Sequence, residues 1–234
     1  MLQNLKQLYG HNLAAIDGDI GHVKDFYFDD KTWVVRYLVA DTGTWLTGRL
    51  VLISPHAFGS LDEPGKTLHI KLHKARIESS PSIETHRPVS RQYEVDYYRF
   101  YGWPAYWEGD AMWGLGAYPA IMPPTVAEMA ADRKHHHRDD KHLQSTHAVT
   151  GYHIQTAEGP IGHVSGFLVD DRSWEICELV VETGHWYAGK RIMISPAKVE
   201  RISYEESKVF VKLTKAEIEH TAASHLARVE PVGT

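Results

Sequence analysis

The sequence predicts a mainly β protein: two tandem small β-barrels joined by an aromatic-rich, partly helical connector. Three observations carry this: a long internal repeat at constant offset, short alternating strands bounded by turn residues in each copy, and a middle segment whose rings recur at helical spacing.

The repeat is the strongest signal. Gly18-Asp-Ile-Gly-His-Val23 returns as Gly159-Pro-Ile-Gly-His-Val164, and Gly162 minus Gly21 is a shift of 141 residues. Without a gap, the same shift pairs Asp29-Asp30 with Asp170-Asp171, Trp33 with Trp174, Thr42-Gly43 with Thr183-Gly184 and Trp45 with Trp186. It also pairs Gly48 with Gly189, Ile53-Ser54-Pro55 with Ile194-Ser195-Pro196, and Lys71-Leu72 with Lys212-Leu213. A constant offset means equal loop lengths, and hence two copies of one fold.

Within each copy the chain alternates between strand and turn chemistry. Trp33 to Ala40 is rich in β-branched and aromatic residues and lies between Asp29-Asp30-Lys31-Thr32 and Asp41-Thr42-Gly43, which form turns. Leu68, Ile70 and Leu72, like Val209, Val211 and Leu213, follow the period of two of a half-buried strand. From His22 to Phe28 the alternation slips, predicting a bulge near Lys24-Asp25. Each copy ends in a single helical turn. Thr214-Lys-Ala-Glu217 has capping-box form, whereas His73-Lys-Ala-Arg76 lacks both partners and is expected to fray sooner.

The paired residues have structural readings. Gly21, Gly43, Gly162 and Gly184 suit turns of positive φ, and Trp33, Trp45, Trp174 and Trp186 suit packing at the core or its rim. His22 and His163 read as solvated strand histidines, and the two Asp pairs as turn formers. The resulting boundaries are 1–79 for the first repeat, 80–143 for the connector, 144–222 for the second repeat and 223–234 for a tail.

The order Gly-x-Ile-Gly-His-Val, Asp-Asp turn, apolar strand, Gly-x-Trp element and Ile-Ser-Pro resembles the PRC-barrel domain family, over about residues 3 to 78 and 144 to 219. Members of that family include the cytoplasmic domain of the photosynthetic reaction centre H subunit and the C-terminal domain of a ribosome-maturation factor. The resemblance implies two small, strongly bent barrels that bind other macromolecules and share no catalytic site.

The connector differs in character. Ser90 as N-cap, Tyr93, Tyr97 and Phe100 or Tyr101 at helical spacing, and Gly102 and Pro104 as stops predict a short amphipathic helix. Trp103, Tyr106, Trp107, Trp113 and Tyr118 follow, too apolar for a free linker, and are expected to bury. They would cover a barrel, fill the crevice between barrels or meet a partner; Tyr97, Tyr98, Trp103, Tyr106, Trp107 and Trp113 are the candidate interaction residues. The cluster His135-His136-His137-Arg138-Asp139-Asp140-Lys141-His142, with His147, has metal-ligating types but no defined ligand spacing, and reads as a solvated loop with no metal or cofactor.

Composition narrows the function. With 25 Lys and Arg against 30 Asp and Glu, a net charge of −5, the chain has no general attraction for nucleic acid: DNA binding is excluded and RNA is not expected. One cysteine, Cys177, allows no internal disulfide. Met1 to Gly10 lacks a signal-peptide pattern, and no apolar run is long enough to span a bilayer. The expectation is a bacterial, cytoplasmic protein, peripheral to the inner membrane where its partner lies there. It would be a non-enzymatic adaptor with no catalytic residue and no cofactor, a homodimer that docks on a protein partner such as a membrane-associated or photosynthetic-type complex. The alternatives are a ribosome- or RNA-associated assembly factor and a metal-dependent hydrolase using the His and Asp cluster.

Overall fold

The computed structural model describes residues 1–62, 64–80, 91–107, 111–114, 116–119, 143–184 and 189–218. It is mainly β, with two seven-stranded sheets of the same design. In chain order the elements of the first half are β1 (Leu2–Asn4), the helical turn α1 (Leu5–Leu8), β2 (Asn12–Ala15), β3 (Gly18–Asp29), β4 (Val35–Asp41) and β5 (Leu50–Ile53). A 3-10 turn at Pro55–Ala57, β6 (Phe58–Asp62), β7 (Thr67–Ile70) and the helix α2 (Lys74–Glu78) follow. The connector supplies the helix α3 (Arg91–Tyr101).

The second half repeats this order: β8 (Leu143–Ser145), a helical turn at Thr146–Val149, β9 (His153–Thr156), β10 (Gly159–Asp170) and β11 (Ile176–Thr183). Then come β12 (Arg191–Ile194), a 3-10 turn at Pro196–Lys198, β13 (Val199–Ser203) and β14 (Lys208–Val211). Adding 141 to the first residue of each first-half strand gives the first residue of its counterpart.

The strand orders match as well: β5-β4-β3-β2-β7-β6 in one sheet and β12-β11-β10-β9-β14-β13 in the other. Each sheet is a barrel-like path, open between β5 and β6 or β12 and β13, where the 3-10 turn rounds the corner. The predicted bulge is present in both copies, as register shifts between Val23 and Asp25 and between Val164 and Gly166. Equivalent side chains fill the two cores, among them Leu13 and Ile154, Phe26 and Phe167, and Leu38 and Leu179.

The chain divides into two compact units that cut across the repeat boundaries. One contains Gln7–Ser145 with Asp171–Glu175, and the other contains Met1–Lys6, Thr146–Asp170 and Ile176–Thr234. In the first unit, β8 pairs antiparallel with β3, Tyr27 opposite Ser145. In the second, β1 pairs antiparallel with β10, Asn4 opposite Leu168. The strand at the head of each repeat thus completes the sheet of the other repeat, an arrangement the sequence reading does not anticipate. The turn Asp171–Glu175 also belongs to the first unit, where the carbonyl of Trp174 accepts from the Val35 amide at 2.8 Å and its ring stacks on Phe26 and meets Phe58 edge-on.

The conserved pairs divide by role. A Cβ on Gly21 would lie 1.9 Å from the Asp41 carbonyl oxygen, and one on Gly162 would lie 2.1 Å from that of Glu182. Close cross-strand approach, more than turn geometry, therefore requires both glycines. Gly43 has the expected positive φ of 52°, and the Gly184 amide donates to the Ile161 carbonyl. Trp33 and Trp174 are buried, and both take φ of 59°, left-handed backbone that costs a bulky residue about 1–2 kcal/mol. At Trp33 the turn is held by its amide donating to Asp29 and by the Asp29 carboxylate accepting from Lys31 and Thr32. Trp45 is half-buried at the rim beneath the Lys74 ammonium, and Trp186 lies outside the described residues.

Helix capping differs from the sequence expectation. The capping box at Thr214 and Glu217 forms in both directions. The first copy has no capping side chain at His73, yet the Lys74 amide is held at 2.8 Å by the Asp17 carboxylate from the β2–β3 hairpin. Glu158 does the same for Lys215 in the second copy, so both helical turns carry a tertiary cap. The amide of Lys74 holds the Asp17 pKa below its ordinary 3.8. A carboxylate lowered in this way stabilises the fold above its unfolded pKa, and that contribution is lost as pH falls through the folded value. In an NMR titration the Lys74 amide should therefore follow a midpoint below 3.8, and Asp17→Asn should abolish that response.

Candidate functional site

The residues singled out in the connector come together as an aromatic layer on the outer face of β4 and β5. It begins with α3, whose end is set by Gly102 at φ 71°. The Trp103 amide reaches the Tyr98 carbonyl at 3.1 Å and the Gly102 amide reaches that of Arg99 at 3.3 Å, a Schellman cap with Trp103 packed edge-on against Tyr98. The chain then turns back, and Trp103, Tyr106 and Trp113 follow α3 onto the sheet.

Each ring is fixed by specific contacts. The Tyr97 hydroxyl donates to the Leu52 carbonyl at 2.9 Å and accepts from the Ser54 amide at 3.1 Å, pairing the backbone at the end of β5. Trp103 stacks on His56 at 5.4 Å and on Tyr101 at 4.4 Å. Trp113 meets His56 edge-on, and its indole N–H donates to the Ser173 carbonyl at 2.9 Å. Trp107 leans on Tyr98 and Tyr106 and is half-buried.

Two buried charges lie under the layer. The Glu94 carboxylate accepts from Tyr37 at 3.1 Å and from Tyr106 at 2.5 Å through the same oxygen. The Arg36 guanidinium lies 3.7 Å from the centroid of the Tyr106 ring and 4.7 Å from that of Trp113, and donates to the Met112 carbonyl and to Thr32. Tyr106 thus links cation and anion, one through its ring face and the other through its hydroxyl. Burial pushes the Tyr37 and Tyr98 hydroxyls far above the ordinary phenol value, with Glu94 adding to the rise, and raises Tyr101 in the same direction. The hydroxyls that act as the clamp are those of Tyr37 and Tyr106, which donate to Glu94, and that of Tyr97, which donates to Leu52.

Of the six candidate interaction residues, Tyr97, Tyr98, Trp103, Tyr106 and Trp113 are buried, so their rings are not presented to a partner; half-buried Trp107 is the exception. Tyr118, expected to bury, is 56% exposed. Sequence reasoning misses Arg36, Tyr37, His56 and Glu94. The signal for three of them is divergence between the copies, since Cys177, Glu178 and Ala197 stand at the positions of Arg36, Tyr37 and His56.

The remaining candidates stay apart from the layer. His22 is exposed, and His163 lies 3.4 Å from Glu182 at the surface. Asp29 holds its turn as expected, and Asp30 accepts from Gln144. The stretch His135 to His142 lies outside the described residues, and His147 is exposed. Among the described residues, no three His, Cys, Asp or Glu side chains converge as a metal site.

Glu94→Ala should lower unfolding free energy by about 3 kcal/mol, because the buried Tyr37 and Tyr106 hydroxyls lose their shared acceptor. Glu94→Gln keeps an acceptor oxygen and should cost less. Urea denaturation measures both, and equal losses would contradict this account of the clamp.

No curated protein matches the chain. Residues 7–77, from the end of α1 through β2–β7 and into α2, match the PRC-barrel domain, and this first repeat therefore contains a PRC-barrel domain.

Proposed function

We propose that the protein is a non-enzymatic adaptor made of two PRC-barrel domains, docking on a protein partner. The observation that carries the reading is the PRC-barrel domain at residues 7–77, which hints at an interaction module. That the second repeat is also a PRC barrel is part of the proposal. It is supported by the offset of 141 residues, the common strand order and the equivalent close approaches at Gly21 and Gly162. In the buried layer the Tyr37 hydroxyl, the Glu94 carboxylate and the Arg36 guanidinium serve as internal hydrogen-bond partners.

The finer reading is a bacterial, cytoplasmic protein resembling the reaction centre H subunit, and docking at the inner-membrane surface on a membrane-associated complex. Among the described residues no helix is long and apolar enough to cross a membrane, so attachment would run through the partner. A homodimer belongs to the same reading, although five of the six connector rings need no second copy to cover them.

Capture of the tagged full-length chain from its host cells, with and without nuclease, tests the proposal. The expected outcome is one protein partner at near-constant ratio, retained after nuclease and enriched with the membrane fraction. Capture that depends on RNA would favour an assembly factor instead. Sedimentation of the purified chain over a concentration series reads self-association separately.

A further inference from the structure

The outer edges of β3 and β10 are strand-acceptor sites already filled by this chain, and they carry different residues at the equivalent bulge positions Asp25 and Gly166. Beside β2 the edge of β3 is covered over Gly18–His22, and β8 takes it up again over Tyr27–Asp29. Likewise β9 covers β10 over Gly159–His163, and β1 takes it up over Leu168–Asp170. The donors are equivalent: Leu2-Gln3-Asn4 and Leu143-Gln144-Ser145 are 141 residues apart and begin with the same Leu-Gln pair. Nothing in the ladders alone would tell one donor from the other, because backbone hydrogen bonds carry no side-chain information.

We propose that the residue at the bulge and the last residue of the donor strand form a complementary pair that assigns each donor to its own edge: Asp25 with Ser145, and Gly166 with Asn4. Asp25 and Gly166 are equivalent positions directly after the two register shifts, and Ser145 and Asn4 are equivalent positions on the donors. At the β3 edge the Ser145 hydroxyl donates to the buried Asp25 carboxylate, which also accepts from the Phe26 amide at 2.7 Å. At the β10 edge the bulge residue has no side chain, and the larger Asn4 fills that space. A Cβ on Gly166 would come within 3.3 Å of Asn4 Oδ1 and 3.7 Å of its Nδ2. The same Oδ1 accepts from the Lys6 amide at 3.0 Å, so Asn4 has little freedom to withdraw.

Mismatched pairs fail in opposite ways. Asn4 beside Asp25 would bring two large polar side chains into space that holds a carboxylate and a hydroxyl. Ser145 beside Gly166 would leave a gap and an unanswered hydroxyl. The β3 edge therefore selects an extended segment ending in a small hydroxyl residue, and the β10 edge one ending in a carboxamide.

The test is a pair of double-mutant cycles in the full-length chain: Gly166→Asp with Asn4→Ser, and Asp25→Gly with Ser145→Asn. Thermal melting is read together with amide exchange of residues 2–4 and 143–145. Each single change should lower the melting temperature by about 3–5 °C and speed exchange of the affected donor strand by about tenfold. Each double change, which converts one junction into the type of the other, should recover at least half of the summed losses. Double variants that lose the full sum of the single losses would overturn the proposal. Should Gly166→Asp fail to fold, Gly166→Ala is the substitute. It should release residues 2–4, and adding Asn4→Ser should restore their protection; failure of that restoration overturns the proposal equally.

Discussion

A strand twelve residues long has more backbone than one neighbour can pair, and the structure is organised around satisfying that surplus. β3 and β10 each outrun the four-residue strand beside them, leaving donors and acceptors at Tyr27–Asp29 and Leu168–Asp170. An unpaired edge of this kind is a template for unwanted association. The remedy is the three-residue strand at the head of each repeat, used crosswise. The two remedies are unequal: Leu143 is fully buried, whereas Leu2 is 53% exposed.

The same requirement explains the connector. β5 ends the strand order of its sheet, and there the Tyr97 hydroxyl bonds both the Leu52 carbonyl and the Ser54 amide, standing in for a neighbouring strand. Once α3 is held by this side-chain bridge, the rings that follow have a surface to close over. Arg36 and Glu94 are then sealed beneath them, and their burial is tolerable because Arg36 is engaged through hydrogen bonds and ring faces and Glu94 through two phenol hydroxyls. A layer built only from apolar rings would cover the same area but would leave the buried Tyr37 hydroxyl without its carboxylate partner.

Much of this frame was legible in the sequence, because turn and core positions are constrained by geometry and so repeat. Gly21 and Gly162 repeat because another side chain would collide with a carbonyl, and the bulge shows itself by breaking an alternation. The helix α3 was legible from ring spacing and from Gly102. The crosswise strands were not, although Leu2-Gln3 and Leu143-Gln144 obey the same offset; three residues are too few for periodicity to act on. Nor was the Asp17 cap, since it joins a hairpin to a helix 57 residues away. The buried charges escaped for a different reason. Arg36 and Glu94 are residues that usually face water, and only the rings placed over them make them interior.

Two copies that agree in frame need not agree in face. Where the first copy carries Arg36, Tyr37 and His56, all buried, the second carries half-buried Cys177 and Glu178 and exposed Ala197. Frame positions are held by backbone approach and core volume, which tolerate little change, whereas an outer strand face is constrained only by what covers it. In the first copy the cover is the chain's own aromatic layer, so that face is committed to folding. In the second, the side chains at Arg36, Tyr37 and His56 that the layer stacks on and bonds to are replaced by Cys177, Glu178 and Ala197. The repeat therefore holds one barrel-like sheet whose outer face is structural and one whose face has different chemistry on the same strand order.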